Sequence, residues 1–270
     1  MVAFAANSVL GRLALVEQEA GAGGFALIRL VSGAVALGLI LLVMRKPPSG
    51  DWRSGAALLG YAAFFSYAYI ALPAGTGALI LFAFVQITMV GAGLLSGERL
   101  TPMQWLGLSV AIAALAWLLS PGLEAPSPVA ALSMAMAGVS WGFYSLYGRR
   151  KGDPTAATAG NFIRASILAA GLAIPAFIIA PEPMPTSTGV ALAILSGAGT
   201  SGLGYIIWYT ALKGLSSTKA GIAQLTVPAL AAAGGVLLLS EPLTTRFILA
   251  SLLILGGVGL ATLTPGRSAR

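Results

Sequence analysis

Few side chains in this sequence could do chemistry, and those that could are mostly aromatic or amide. All seven tyrosines fall in three apolar stretches: Tyr61, Tyr67 and Tyr69; Tyr144 and Tyr147; Tyr205 and Tyr209. Tyr205, Trp208 and Tyr209 are spaced i, i+3, i+4, and Trp141 and Tyr144 i, i+3, so on helices each set shares a face. Phe64, Phe82, Gln86, Gln224 and Asn7 also lie deep within apolar runs. An amide there is costly unless it meets a partner or a wet cavity, and it can both donate and accept hydrogen bonds. Asn7, Phe64, Tyr67, Phe82, Gln86, Trp141, Tyr144, Tyr205, Trp208 and Gln224 are therefore the candidate substrate-binding residues. Their chemistry is non-covalent: rings that stack on an apolar solute and amides that hold its polar end. The alternatives are helix packing, interhelical hydrogen bonds and an interfacial belt, the last of which accounts for Trp52, Trp105, Trp117, Tyr69, Tyr147 and Tyr209.

Reactive groups are scarce. Cysteine and histidine are absent, which removes disulfides, thiol chemistry, imidazole bases and the commonest metal ligands. The eight carboxylates, Glu17, Glu19, Asp51, Glu98, Glu124, Asp153, Glu182 and Glu241, fall between apolar runs or at their ends. No catalytic residue, metal site or cofactor is expected, and an embedded enzyme would need a catalytic cluster at one depth. Gly197-x-Gly199-x-x-Gly202 has the spacing of a dinucleotide-binding turn, but the acidic residue expected about 20 positions on is missing. Its small residues instead suit close helix packing in lipid, as do Gly138 and Gly142.

The chain has 270 residues, 57% hydrophobic and 9% charged, where soluble domains average about 25% charged. The net charge of +7 sits in short clusters between apolar runs, which points to a membrane surface rather than nucleic acid. Ten apolar runs approach the bilayer-spanning length of about 20 residues: 2–16, 24–44, 54–72, 76–96, 101–120, 128–147, 157–180, 187–212, 217–240 and 243–264. With the N-terminus inside, Arg45, Lys46, Arg53, Arg99, Arg149, Arg150, Lys151, Lys213, Lys219, Arg267 and Arg270 are cytoplasmic, and only Arg12 and Arg246 lie outside. The positive-inside rule thus places both termini in the cytoplasm. Arg29 and Arg164 lie within spans and are expected to snorkel toward opposite surfaces or pair structurally.

The halves resemble each other. Tyr69-Ile-Ala-Leu matches Tyr209-Thr-Ala-Leu, Glu98-Arg-Leu-Thr matches Glu241-Pro-Leu-Thr, Arg29 matches Arg164, and Gly11-Arg12 matches Gly148-Arg149. The spacing predicts two five-helix repeats, 1–122 and 123–270. An odd number of spans inverts the second copy, and inverted repeats are a transporter architecture with the site at the midplane.

Trp141-Gly142, Arg164, Tyr209-x-Ala-Leu, and Pro228 ahead of Glu241-x-Leu-Thr together resemble the EamA-type repeat of the drug/metabolite transporter superfamily. The first copy departs from it, with Val85 in place of the proline and no Trp-Gly in span one. Within the superfamily the chain is most similar to bacterial inner-membrane exporters of aromatic amino acids, the YddG type. The resemblance implies an all-α membrane protein of ten helices. It also implies alternating access through a cavity among spans one, three, four, six, eight and nine, exporting a small-molecule substrate such as an aromatic or other apolar amino acid. A broad drug or metabolite exporter is the alternative. Without an ionisable acid or histidine inside the spans, downhill flux is expected rather than proton coupling.

The topology has a direct test. Cysteines at Gly50 and Gly152 should label only from the cytoplasm and one at Glu124 only from outside; labelling of positions 50 and 124 from one side would overturn the orientation and the repeat scheme.

Overall fold

The computed structural model describes residues 1–148, 152–179, 181–212 and 217–263, all helix and connection with no strand among them. Helices α1 (Val2–Val16), α2 (Ala22–Met44), α3 (Trp52–Tyr69), α4 (Ala74–Leu95), α5 (Pro102–Leu119), α6 (Pro128–Gly148) and α7 (Pro154–Ile179) are followed by α8 (Ser187–Ile194). A π-helical segment, Leu195–Leu203, then continues directly into α9 (Gly204–Leu212), before α10 (Ser217–Leu239) and α11 (Thr245–Leu263). These elements coincide with the ten apolar runs to within three residues at nearly every end, with α8, the π segment and α9 forming one run. Among the described residues seven are long and apolar enough to cross a bilayer, α1 and the 223–239 part of α10 are shorter apolar helices, and α3, expected as a span, is in neither group. The cytoplasmic cations expected at Arg149, Arg150, Lys151, Lys213, Arg267 and Arg270, and the side chain of Lys219, lie outside the described residues.

Polar residues set the helix starts, because the first N–H groups of a helix lack intrahelical acceptors. The Asp51 carboxylate accepts from Ser54 N at 2.9 Å and so caps α3. Thr101 and Gln104 form a capping box on α5, with proline at its first turn, and Thr186 accepts from Gly189 N at the start of α8. All eight carboxylates lie outside the helices.

In the bundle, α3 packs on α6 and α7, and the run from α8 through the π segment packs on α1 and α2. α4 lies against α6 and α10, α10 against α1, α2 against α7, and α5 against α11. Chain direction alternates, so five connections gather at one end and are tied there. Arg12 Nε pairs with Glu241 at 3.0 Å, and Arg12 Nη1 donates to the carbonyls of Tyr69 and Ile70 at 3.0 and 2.9 Å. Glu241 also accepts from Ala74 N at 2.8 Å, at the start of α4. Glu182 accepts from Gly23 N and Gly24 N, at the start of α2, and from the Tyr67 hydroxyl. Each carboxylate thus meets the positive end of a helix dipole. At the opposite end Lys46 pairs with Asp153 at 2.6 Å, a bond that holds the Asp153 carboxyl below its ordinary range.

Small residues permit the closest approaches. A Cβ at Gly107 would meet the Gly257 carbonyl of α11, and one at Gly257 would come 2.5 Å from the Gly107 carbonyl. Gly256, one residue away, faces open space. Gly257→Leu should therefore cost about 1–3 kcal/mol through overpacking, read as a lower melting temperature in detergent. Gly256→Ala should leave stability unchanged or raise it by about 0.5–1 kcal/mol through helix propensity.

Candidate functional site

The centre of the bundle is aromatic. On α3, Tyr61, Phe65 and Tyr69 recur every four residues and so share one face; all three are buried. Trp141 projects from α6 onto Tyr61, Tyr144 of α6 and Tyr205 of α9 pack on Trp141, and Trp208 of α9 packs on Phe4. The Trp141 ring lies 4.9 Å from Tyr61, 4.8 Å from Tyr205, 5.3 Å from Tyr144 and 5.9 Å from Phe4, centroid to centroid. Phe4, on α1, meets Trp141, Tyr205 and Trp208 edge-on at 5.8–5.9 Å, the arrangement that the ring quadrupole favours. The rings fill the space between the helices by touching one another.

Hydroxyls and amides thread the cluster. The Asn7 amide nitrogen donates to the Tyr61 hydroxyl at 3.1 Å, and its oxygen accepts from Ser196 at 2.6 Å and Thr200 at 3.3 Å. Arg29 Nε donates to Ser201 Oγ at 3.2 Å, and Nη2 donates to the hydroxyls of Tyr61 and Tyr205 at 3.0 and 3.4 Å. Its guanidinium carbon stands 4.8 Å from the centroid of the Tyr61 ring and 4.7 Å from that of Phe65.

The π segment makes this convergence possible. Five residues of α-helix advance about 500°, leaving the fifth roughly 140° round the axis, whereas an i→i+5 turn returns it to the same side. Ser196 and Ser201 are five apart, and both are fully buried against the network. The glycine motif that resembles a cofactor loop serves here as spacing, since a Cβ at Gly197 would overlap the Arg29 carbonyl.

Of the residues singled out by type and spacing, Asn7, Trp141, Tyr144, Tyr205 and Trp208 meet at this centre. Phe82 is buried in the surrounding apolar core. Gln86 and Gln224 are half-buried on α4 and α10, and neither has a hydrogen-bond partner among the described residues. Phe64 and Tyr67 do not join the site: they lie on the other face of α3, 38% and 48% exposed, and Tyr67 reaches Glu182 instead. Phe4, Phe65, Ser196 and Ser201 belong to the centre without a sequence signal beyond their apolar or small-residue surroundings, and Tyr69, expected in the interfacial belt, is instead fully buried against Phe65.

The two intramembrane arginines differ. Arg164 runs to the bundle end, where Nη1 donates to the carbonyls of Ser49 and Gly160 at 2.9 and 2.8 Å beside the Trp52 ring. Arg29 does not snorkel, since it is 1% exposed and is held by hydroxyls. Its signals in the sequence were its depth, an ionisable residue well inside an apolar run, and its match to Arg164.

Residues 128–263 match the EamA-like transporter family. The chain is 49% identical over 275 residues to the uncharacterized protein PA1977 of Pseudomonas aeruginosa, covering all of this chain and 94% of the other. It is 26% identical over 284 residues to the aromatic amino acid exporter YddG of Ancylobacter novellus, covering 99% and 98%. With the uncharacterized transporter YoaV of Bacillus subtilis the identity is 24%, over 90% and 88% of the two chains. A protein of known crystal structure overlays with a TM-score of 0.65 at 22% identity, covering 97% and 96%, which shows the same fold.

The network predicts a graded response. The Tyr61 hydroxyl serves both Asn7 and Arg29, so Tyr61→Phe should cost about 1–3 kcal/mol by leaving buried donors unmet, and Tyr205→Phe, whose bond is long, should cost less. Trp141→Ala should cost about 3–5 kcal/mol as a large truncation and Trp141→Phe much less. Chemical denaturation in detergent would read both comparisons; equal losses for the two tyrosines would refute the shared-hydroxyl assignment.

Proposed function

Since the chain belongs to the EamA-like transporter family, a family of multi-pass membrane transporters, we propose that it exports small amphipathic solutes, aromatic or other apolar amino acids, across a bacterial inner membrane. The observation that carries this reading is the ring cluster with its hydroxyl and amide lining, at the point where α1, α3, α6 and α9 meet. Such a site offers stacking surface to an apolar side chain and hydrogen bonds to its polar end. The similarity to an aromatic amino acid exporter over nearly the whole chain supports the same substrate class.

The passage is built from two inverted repeats, 1–122 and 123–270. Packing partners support this. Exchanging the halves maps the contact of α3 with α6 onto that of the α8–α9 run with α1, and the contact of α4 with α6 onto that of α10 with α1. Helices α2 and α7, α4 and α10, and α5 and α11 pair with their own counterparts. In the register that aligns Gly11 with Gly148, Phe4 falls opposite Trp141; in the register that aligns Tyr69 with Tyr209, Tyr61 falls opposite Ser201 and Phe65 opposite Tyr205. The centre is thus lined by equivalent positions of both halves, and a relative motion of the halves would part the rings.

The end tied by Arg12, Glu182 and Glu241 is the outer one, and both termini are cytoplasmic, as the loop charges favour. Release of that end would open the centre outward. Flux is downhill, because every carboxylate lies outside the helices and arginine does not release a proton in a working cycle.

Proteoliposomes holding the purified protein should pass tryptophan, phenylalanine or leucine down a concentration gradient. An imposed pH gradient alone should produce no accumulation. Protonophore-sensitive accumulation would refute the passive mechanism, and transport of cationic drugs without any amino acid would refute the substrate class.

A further inference from the structure

Arg29 places a full positive charge in the middle of the bundle, and no acidic side chain among the described residues pairs with it. A charge at that depth normally snorkels, pairs with an acid or faces water. Arg29 is 1% exposed, and the ion pairs among the described residues are Arg12–Glu241 and Lys46–Asp153. Three neutral hydroxyls hold its Nε and Nη2. Nη1 is buried and has no hydrogen-bond partner among the described residues, although a guanidinium carries five N–H donors, two of them on that nitrogen. The matching residue of the second half makes the contrast, because Arg164 Nη1 is satisfied by two backbone carbonyls. Nothing in the fold requires one of the two arginines to remain unsatisfied.

We propose that Arg29 is the anchor for the carboxylate of the transported solute, with Nη1 as the open donor and the Trp141 cluster as the surface for the solute's aromatic ring. The inference rests on the transport reading above and narrows its substrate to carboxylate-bearing aromatic compounds. Guanidinium and carboxylate make the strongest and most directional of the charge-assisted hydrogen bonds, often in bidentate form. Tyr61 and Tyr205 join the two ends of the site: their hydroxyls hold Arg29, and their rings lie 4.9 and 4.8 Å from Trp141. A ligand with a carboxylate a few bonds from an aromatic ring spans that arrangement. A cation lacking the carboxylate meets an uncompensated positive charge in low dielectric and is repelled.

The anchor is also held from both halves. The π segment approaches the Arg29 carbonyl closely enough that Gly197 admits no side chain, and Ser201 of the same segment holds Nε. Because Tyr61 comes from the first half and Ser201 and Tyr205 from the second, the guanidinium is fixed jointly by the two bodies whose relative motion carries the solute. Its donors are re-partitioned whenever they move, so carboxylate binding is coupled to the conformational change.

The test compares three indoles on the full-length protein in proteoliposomes: tryptophan, indole-3-propionate, which has the carboxylate and no amine, and tryptamine, which has the amine and no carboxylate. Each is measured as a competitor of labelled tryptophan exchange. Wild type should be inhibited by tryptophan and indole-3-propionate and at least tenfold more weakly by tryptamine. Arg29→Gln should lose that discrimination, and Arg29→Lys should retain part of it. Exchange of tryptophan inhibited equally by tryptamine and indole-3-propionate in wild type, or discrimination preserved in Arg29→Gln, would overturn the anchor and leave the transport reading standing. Failure of every indole to move in wild type, beside transport only of solutes other than amino acids, would overturn both. The wild-type comparison decides the proposal even where the variants fail to fold.

Discussion

A guanidinium away from water must be met by acceptors, and the centre of this bundle is arranged around that demand at Arg29. Two tyrosine hydroxyls and one serine hydroxyl converge on it from α3, α9 and the π segment between α8 and α9. The π turn exists where Ser196 and Ser201 must face one side, one toward Asn7 and the other toward Arg29. Gly197 is small where the segment meets the α2 backbone. Asn7 then fixes the Tyr61 hydroxyl from α1, so helices of both halves are tied through one charged side chain. Polar networks of this kind are costly when partly satisfied and rigid when complete, and Arg29 Nη1 is left within this one without a partner among the described residues.

Around the polar thread the rings close the centre. Phe4 touches three rings and Trp141 four, and edge and tilted contacts between such rings are worth about 0.5–1.5 kcal/mol each beyond burial. These contacts are individually modest. The tied end differs in kind, because carboxylates there join helix N-termini and the Arg12 side chain. Closure at that end rests on a few charged contacts, and closure at the centre on many apolar ones.

Much of the architecture was legible in the sequence because a bilayer imposes a length and a polarity on every span. The ten apolar runs became helices with nearly the expected bounds, since Pro, Gly and charged residues punctuate them. The inward positions of Trp141, Tyr144, Tyr205 and Trp208 followed from their helical spacing and density. Phe64 and Tyr67 were harder to place, because α3 carries aromatic residues around its whole circumference and periodicity alone does not say which arc faces the core. Tyr61, Phe65 and Tyr69 take it, and Tyr67 turns to Glu182.

The sequence by itself determined the apolar, helical class, the bounds of the apolar runs, the paired motifs of the two halves and the absence of thiol and imidazole groups, for these depend only on composition and order along the chain. The tertiary structure alone decided that Arg29 stays buried while Arg164 reaches the bundle end, that Ser196 and Ser201 share a face, and that Asn7 ties α1 to α3. These facts concern groups far apart in sequence, and local propensity carries no information about which distant hydroxyl a buried donor will meet.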